Sequence, residues 1–181
     1  TSEELLARET LPQSLCIVGA GVIGMEMASV FSAFGCKVSM VEYLKECLPT
    51  MDSEIARRLR KMMEKQGIKF FLGSSVQKID NNKVIFKDIK KDIEATVEAE
   101  AILVATGRKP YTEGLNLDRI GVETSRTGIV TNDNMQTNLS HIYAIGDVNG
   151  RQMLAHAATF QGRRAVNHIL GKTDNIRLDI M

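Results

Sequence analysis

Short apolar runs separated by helical stretches make up the first part of the chain. Residues 14–18, 37–41 and 68–72 have the length of buried strands, and glycine or turn residues bound them. Residues 24–34 are rich in Met and Ala before a stop at Gly35, as expected of a helix. The order strand, helix, strand, helix, strand predicts a parallel sheet with right-handed crossovers.

The second predicted helix follows Pro49 and Asp52 and ends at Gly67. Its apolar residues recur at helical spacing, so they are expected to share one face. These residues are Ile55, Leu59, Met62 and Met63.

The pattern changes after the third strand. Segments between residues 76 and 99 alternate apolar and polar side chains around the pair Asn81-Asn82, which predicts a small antiparallel meander. Residues 101–105 form a continuous apolar run, which is typical of a strand buried on both faces.

The remainder of the chain predicts two further strands and one long helix. The strands are expected at residues 129–131 and 142–145, and the helix runs from about Leu154 to Leu170, where Gly171 stops it. A polar tail follows, in which we expect no closing element.

Composition and charge exclude several classes of protein. The 181 residues carry 23 Lys and Arg against 22 Asp and Glu, a net charge of +1, which argues against a nucleic-acid or polyanion binder. Hydrophobic residues make up 44% of the chain, enough for one sizeable core. The longest uncharged stretches are too short and too broken by Gly and Ser to cross a bilayer, so we expect a soluble protein without a membrane partner.

The termini and the cysteines bear on processing and compartment. The first residues lack an initiator Met and the apolar segment of a signal peptide, so we interpret the chain as a processed or cut product. Cys16, Cys36 and Cys47 match neither metal-ligand spacing nor a disulfide framework. We expect buried structural thiols, no metal site and a reducing compartment.

A glycine motif lies between the first strand and the first helix. Gly19 is placed for the tight turn, Gly21 for close approach of the backbone to a pyrophosphate, and Gly24 for close helix packing. The helix N-terminus adds free N–H groups and positive dipole. Glu42 ends the second strand, where its carboxylate can accept both ribose hydroxyls of the adenosine and would repel a 2′-phosphate. The motif therefore predicts a dinucleotide site that prefers NAD to NADP.

Glu26 is placed in the first turn of that helix, where the helix dipole favours a negative charge. Its neighbours Met25, Met27 and Ala28 have the character of buried residues. An acid among buried residues usually needs a cationic partner, and the nearby sequence offers none.

Asp147 follows Gly146 at the end of the predicted strand 142–145. An acid in this position commonly binds a sugar or polyol hydroxyl, but the same dipeptide also forms ordinary turns, and both interpretations stay open. The helix that begins shortly afterwards presents free N–H groups to an electron-rich ligand edge. His156, beside its start, is either catalytic or contributes backbone only.

We assign no catalytic or metal-binding role to the remaining histidines or to the basic run. His141 and His168 have no acid or Cys at triad or metal spacing. The basic run at residues 57–61 is interpreted as a solvated helix face rather than a partner surface.

Five motifs occur together in the order and at the spacing of one family. They are GAGVIGMEMA at 19–28, Glu42, ATGRKP at 105–110, YAIGDV at 143–148 and MLAHAA at 153–158. In combination they resemble the pyridine nucleotide-disulfide oxidoreductases, most closely the dihydrolipoamide dehydrogenase branch, and the resemblance covers essentially residues 12–171.

The resemblance implies an α/β fold: a Rossmann-like parallel sheet with an antiparallel β-meander, followed by part of a second α/β nucleotide-binding domain. It divides the chain into a lead-in segment (1–13), an NAD-binding domain (14–107), the C-terminal half of a split FAD-binding domain (108–171) and a tail (172–181). In that family the NAD domain is inserted into the FAD domain, and a further interface domain makes a homodimer.

The resemblance also implies residue roles. The NAD pyrophosphate would lie on residues 19–26, the adenosine ribose on Glu42, the adenine edge on Val76 and the nicotinamide end near Gly107. Asp147 would bind the ribityl chain of FAD. Glu26 would pair with a lysine beside the flavin. The implied cofactor-binding residues are Gly19, Ala20, Gly21, Val22, Ile23, Gly24, Glu26, Glu42, Val76, Gly107, Asp147, Met153, Leu154, Ala155 and His156.

Several family features are absent from the sequence. There is no CxxxxC pair, no second glycine fingerprint and no His-Pro with an orienting Glu, and Ala157 stands where relatives commonly carry Lys. We therefore expect an NAD site and part of a flavin wall, without catalysis by this chain alone. The intact enzyme would oxidise dihydrolipoamide, free or on a lipoyl-domain protein, through a disulfide and FAD to reduce NAD⁺.

Two alternatives stay open. One is a related FAD-dependent reductase that acts on another disulfide, such as coenzyme A disulfide, or on mercuric ion. The other is a stand-alone NAD-responsive binding module. The expected location is the cytoplasm, or the mitochondrial matrix in a eukaryote.

Overall fold

A computed structural model describes residues 1–178 of the chain. They form two compact units, one from Thr1 to Gly107 and one from Arg108 onward. Whether these units correspond to the predicted domains stays a prediction. Which cofactor each unit binds stays a prediction.

The first unit contains a parallel sheet flanked by helices. Its first elements in chain order are α1 (Ser2–Leu6), β1 (Ser14–Val18), α2 (Val22–Ala33), β2 (Lys37–Val41), α3 (Ser53–Lys65) and β3 (Lys69–Phe71). A later strand, β7 (Ala101–Val104), joins the same sheet, whose order is β3-β2-β1-β7 with every pairing parallel. The predicted parallel sheet is confirmed.

An antiparallel sheet of three strands lies between β3 and β7 along the chain. The strands β4 (Ser74–Asp80), β5 (Lys83–Asp88) and β6 (Ile93–Glu98) pair in sequence order, with Asn81 in a left-handed conformation at the first turn. The predicted meander is therefore confirmed. A β-bulge interrupts β4 between Val76 and Lys78, so that Gln77 has no partner on β5.

The parallel sheet has an apolar layer on each face. Leu15 and Ile17 of β1 pack with residues of α2, including Met25 and Phe31. The alternate residues of β1 belong to a second cluster, which the meander supplies with Val84 and Phe86. Burial on both faces explains why the sequence of β1 is continuously apolar rather than alternating.

Two helices differ from expectation. The structure places α1 within the lead-in segment, where Thr1 and Glu4 form a capping box and Leu5 joins the core. In α3 the buried residues are Ala56 and Met63. Of the predicted apolar face only Met63 is therefore buried, and its remaining residues are exposed: Ile55, Leu59 and Met62. Asp52 caps α3 by accepting hydrogen bonds from the first turn, as its position before the helix suggested.

The second unit is built around one long helix and irregular chain. Its elements are α4 (Leu117–Ile120), β8 (Thr124–Ser125), β9 (Gly128–Ile129), a 3₁₀ turn (Gly146–Asn149) and α5 (Ala155–Ile169). The prediction of α5 is confirmed to within one residue at each end.

The strand predicted at residues 142–145 is wrong. Tyr143 makes one isolated bridge to Gln136, and Ile145 is 44% exposed. The strand predicted at 129–131 is reduced to β9, whose strand partner in the described part of the chain is β8. An apolar run becomes a strand when neighbouring strands form hydrogen bonds with its backbone N–H and C=O groups. Apart from the bridge to Gln136, the described residues include no strand beside residues 142–145.

Residues 172–178 form neither helix nor strand, as expected, but they are tied to α5. Arg164 donates to the carboxylate of Asp174 at 2.7 Å and also to the backbone carbonyl of Ile176. Asn167 donates to the other oxygen of Asp174 at 3.1 Å. The last three residues of the predicted tail lie outside the described part of the chain. Within residues 1–178, no helix is long and apolar enough to cross a membrane.

Candidate functional site

The glycine motif forms a tight loop between β1 and α2. Gly19 has φ +103°, and a Cβ there would lie 2.5 Å from the carbonyl oxygen of Ala105. A Cβ on Gly24 would lie 2.1 Å from the carbonyl oxygen of Gly19. These two glycines are required by the packing of the loop itself. At Gly21 a Cβ would meet nothing within 4 Å, so the space above it is open to a ligand.

The N-terminus of α2 faces the same open space. Gly21 is its N-cap and has no side chain to accept from the first turn, which begins with Val22 and Ile23. Uncapped N–H groups at a helix N-terminus favour an anion such as a phosphate. The loop therefore has the shape and polarity of a phosphate cradle.

Glu42 lies next to this cradle and is 9% exposed. One carboxylate oxygen accepts from the backbone N–H of Ala20 at 2.6 Å, and the other accepts from the N–H of Leu44 at 2.7 Å. The Glu42 backbone also continues the sheet, since its N–H donates to Phe71 and its carbonyl accepts from Ser74. The side chain is thus fixed at the carboxyl end of β2, within the first unit and beside Ala20.

Glu26 differs from the sequence-based interpretation. Because α2 begins at Val22 rather than near Gly24, Glu26 lies in the second turn and not the first. Its neighbours Met25 and Ala28 are buried, but Glu26 itself is exposed. Within residues 1–178 it forms no ion pair, so a cationic partner for it stays a prediction.

Val76 and Gly107 lie farther from the loop along the chain. Val76 is half-buried on β4 and packs against the cluster beneath the meander. Gly107 ends the first unit, is exposed and has φ +129°, a conformation that favours glycine. Nothing in their contacts assigns either residue to a ligand.

Asp147 lies in the 3₁₀ turn of the second unit, on a surface shared with Arg108. Its carboxylate is 3.7 Å from the Arg108 guanidinium, and both side chains are about half exposed. Solvent screens an exposed pair of this kind, so the contact is weak, and the exposed carboxylate of Asp147 is accessible.

The start of α5 is also open. Leu154 is its N-cap without a side-chain hydrogen bond, Ala155 and His156 form the first turn and are exposed, and Met153 is half-buried. Which of the two interpretations of His156 holds stays a prediction. The N–H groups of this turn are available to a ligand.

The cysteines are buried, as predicted. Burial raises the pKa of Cys16 to about 12. Burial, with a contribution from the neighbouring Glu46, raises the pKa of Cys47 to about 11. Thiolates are the reactive form of cysteine, so these thiols are structural. Within residues 1–178, no cluster of His, Cys, Asp or Glu is arranged to hold a metal ion.

The basic run at residues 57–61 is largely a solvated face, with one exception. Arg60 is mostly buried and donates to Glu46 at 2.7 Å and to Glu64 at 2.7 Å. It ties α3 to the loop that follows Glu42. Sequence reasoning did not single out this contact.

The parallel sheet, the glycine loop and the acid after β2 define a Rossmann-type α/β unit. The pattern of the pyridine nucleotide-disulphide oxidoreductases matches residues 1–162. The chain belongs to this family.

Individual relatives agree with the family assignment. The chain is 41% identical to the mitochondrial dihydrolipoyl dehydrogenase of Pisum sativum, over 99% of the chain and 37% of the relative. It is 44% identical to the dihydrolipoyl dehydrogenase of Acholeplasma laidlawii, over 94% of the chain and 49% of the relative. Among solved structures, the HOCl-induced flavoprotein disulfide reductase RclA of Escherichia coli, as its Cu(II) complex, matches with a TM-score of 0.85 and 30% identity. That match covers 96% of the chain and 40% of RclA.

The chain spans between about a third and a half of the length of these relatives. The family relationship therefore extends over nearly all of this chain, whereas most of each relative has no counterpart in it.

Proposed function

We propose that the first unit binds NAD and that the second unit supplies part of an FAD site in a flavoprotein of the dihydrolipoyl dehydrogenase type. The observation that carries the proposal is the cradle at Gly21, which is open, uncapped and bordered by the fixed carboxylate of Glu42.

The residues of the first unit fit a dinucleotide. The N–H groups at the start of α2 would donate to the pyrophosphate, and Gly21 would let the backbone approach it. Glu42 would accept from the adenosine ribose with its remaining lone pairs, since each carboxylate oxygen can take more than one hydrogen bond. A carboxylate this close to the ribose would repel a 2′-phosphate.

The residues of the second unit fit only part of a flavin site. Asp147 would accept from hydroxyls of the ribityl chain, and the first turn of α5 would present N–H groups to the flavin edge. When bound, FAD carries electrons between a disulfide and NAD. The chain contributes binding and orientation to that chemistry, and its sequence holds no CxxxxC pair to act as the disulfide.

In the intact protein the proposed reaction is oxidation of dihydrolipoamide, free or on a lipoyl-domain partner, with reduction of NAD⁺. The proposal includes a homodimer and a location in the cytoplasm or the mitochondrial matrix. The likeness to RclA keeps a reductase for another disulfide as the alternative. Turnover of dihydrolipoamide by the longest natural form of the protein would distinguish the two.

The test on the present chain is calorimetric titration with NADH and then NADPH. We expect NADH to bind at least tenfold more tightly, because a 2′-phosphate would face Glu42. Equal affinities would contradict the NAD assignment. The purified chain is expected to be colourless and inactive with dihydrolipoamide, since a partial flavin site binds weakly.

A further inference from the structure

A buried amide on α5 holds the turn that carries Asp147. Gln161 is 1% exposed. Its side-chain oxygen accepts from the backbone N–H of Gly146 at 2.8 Å and from the amide of Asn149 at 2.9 Å. These two partners are the first and last residues of the 3₁₀ turn, so one side-chain oxygen closes the turn from both ends.

Asn149 extends this contact to the chain on either side. Its amide nitrogen also donates to the carbonyl of Ala144 at 3.0 Å, and its side-chain oxygen accepts from the N–H of Arg151 at 3.0 Å. Gln161 and Asn149 together therefore fix the backbone from residue 144 to residue 151. Both side chains are buried, and a buried polar network of this kind is costly to disrupt because each partner would lose its hydrogen bond away from water.

Packing reinforces the hydrogen bonds. Gly146 is buried with φ +73°, and a Cβ on it would lie 3.3 Å from the Cβ of Ala158 on α5. The turn thus lies directly on the helix that Gln161 belongs to. Asp147 is the exposed residue immediately after this anchored glycine.

We propose that Gln161 is the positioning residue for Asp147: it holds the Gly146–Asn149 turn on α5 so that the carboxylate is already placed for a polyol hydroxyl of the flavin. This use of Gln161 rests on the proposed flavin role of Asp147. Gln161 itself touches no ligand in this scheme. Without it, the turn would have to be ordered when the ligand binds, and affinity would fall accordingly.

The first test needs no ligand. Amide exchange by NMR on the parent chain should show the Gly146 N–H protected by at least about a hundredfold, as expected of a buried bonded amide. Gln161→Met keeps the size of the side chain but removes the acceptor, and should raise Gly146 exchange about tenfold or more. Gln161→Glu keeps an oxygen in the same place and should leave Gly146 protected. Thr159→Val, which removes an exposed hydroxyl from the same helix, is the matched control.

Two results for exchange of the Gly146 N–H would contradict the proposal. An unprotected Gly146 in the parent chain would overturn the proposal even if no variant folded. Unchanged Gly146 exchange in folded Gln161→Met would also overturn it.

The second test follows backbone chemical shifts during titration with FAD, which reports weak binding. We expect Gln161→Met to weaken FAD about fivefold to tenfold while NADH affinity is unchanged, because the NADH residues belong to the first unit. Equal weakening of both ligands would indicate a general loss of structure and would overturn the positioning role. If the parent chain binds NADH but shows no shifts at Asp147 with FAD, the flavin role fails, whereas the Gly146 exchange result still stands on its own.

Discussion

Glu42 and Ala20 are joined by a hydrogen bond of 2.6 Å between a carboxylate oxygen and a backbone N–H. The second oxygen of the same carboxylate accepts from Leu44 at 2.7 Å. Because both oxygens face N–H donors, a carboxylate is required here: an amide would place its own NH₂ against one of them. Glu42 therefore shapes the glycine loop before any ligand arrives.

Replacing Glu42 should weaken NADH binding. Glu42→Ala removes the proposed ribose acceptor and releases Ala20, and we expect a loss of about tenfold or more by calorimetry, the value of one hydrogen bond to a charged group. Glu94→Ala, which removes an exposed carboxylate from β6, is the control. NADH affinity that survives Glu42→Ala would exclude this residue from the site.

Two glycines of the loop should respond differently to a methyl group. Gly24→Ala forces a Cβ to within 2.1 Å of the Gly19 carbonyl, so we expect the free energy of unfolding to fall by about 3 kcal/mol. Gly21→Ala meets nothing within 4 Å and should cost less than about 1 kcal/mol, yet it should weaken NADH because the methyl group occupies the cradle. Urea denaturation and calorimetry measure the two effects. Similar losses of stability in both variants would contradict this assignment.

The pair of Glu46 and Arg60 should make stability depend on pH. The hydrogen bond from Arg60 holds the pKa of Glu46 below its usual range, although burial partly opposes this lowering of the pKa. A carboxyl with a lowered folded-state pKa stabilises the fold fully above its unfolded pKa of about 4.3, and this stabilisation is lost as pH falls through the lower folded value. Glu46→Gln should therefore cost about 1.5–3 kcal/mol at pH 7 and progressively less below pH 4.

The exposed pair of Lys78 and Asp80 provides the matched control for this prediction. Both side chains are more than half exposed, so Asp80→Asn should change the free energy of unfolding by less than about 1 kcal/mol. A loss from Glu46→Gln that does not change between pH 7 and pH 3 would show that the ion pair is not its cause.

The three thiols should be inert in the folded protein. Cys16 is fully buried, and burial raises its pKa to about 12, so neither access nor thiolate is available at pH 8. A charged aromatic disulfide reagent should modify none of the cysteines in the native chain and all three after denaturation. Rapid modification of any one of them without denaturant would contradict the structure.

The sequence predicted the first unit well because its signals are local. The runs at β1 and β2 are continuously apolar and bounded by glycine or polar residues, and the Asn81-Asn82 turn separates two alternating strands. The helix α1 was not predicted, although its capping box of Thr1 and Glu4 is also a local signal, because a Thr three residues before a Glu is a common helix start.

Predictions that depended on a partner elsewhere in the fold were less successful. Helical spacing grouped Ile55, Leu59 and Met62 on one face of α3. It could not indicate that the core instead contacts the neighbouring face of the helix, which contains Ala56. The run 142–145 has strand composition without a neighbouring strand. The sequence placed Glu42 at the same site as the glycine loop, but its hydrogen bond to Ala20 joins residues 22 positions apart and was not predicted. The hydrogen bond between Gln161 and Gly146, which are 15 positions apart, likewise follows no local pattern.

The bulge in β4 changes what a deletion would do. In an ordinary strand, losing one residue turns every following side chain to the opposite face. Here Val76 pairs with Phe86 and Lys78 with Ile85, so Gln77 is supernumerary to the ladder. Loss of its codon would leave an uninterrupted strand with Val76 and Ile79 still on the same side. The meander therefore contains a position at which one residue can be lost without moving the following side chains of β4 to the opposite face of the sheet.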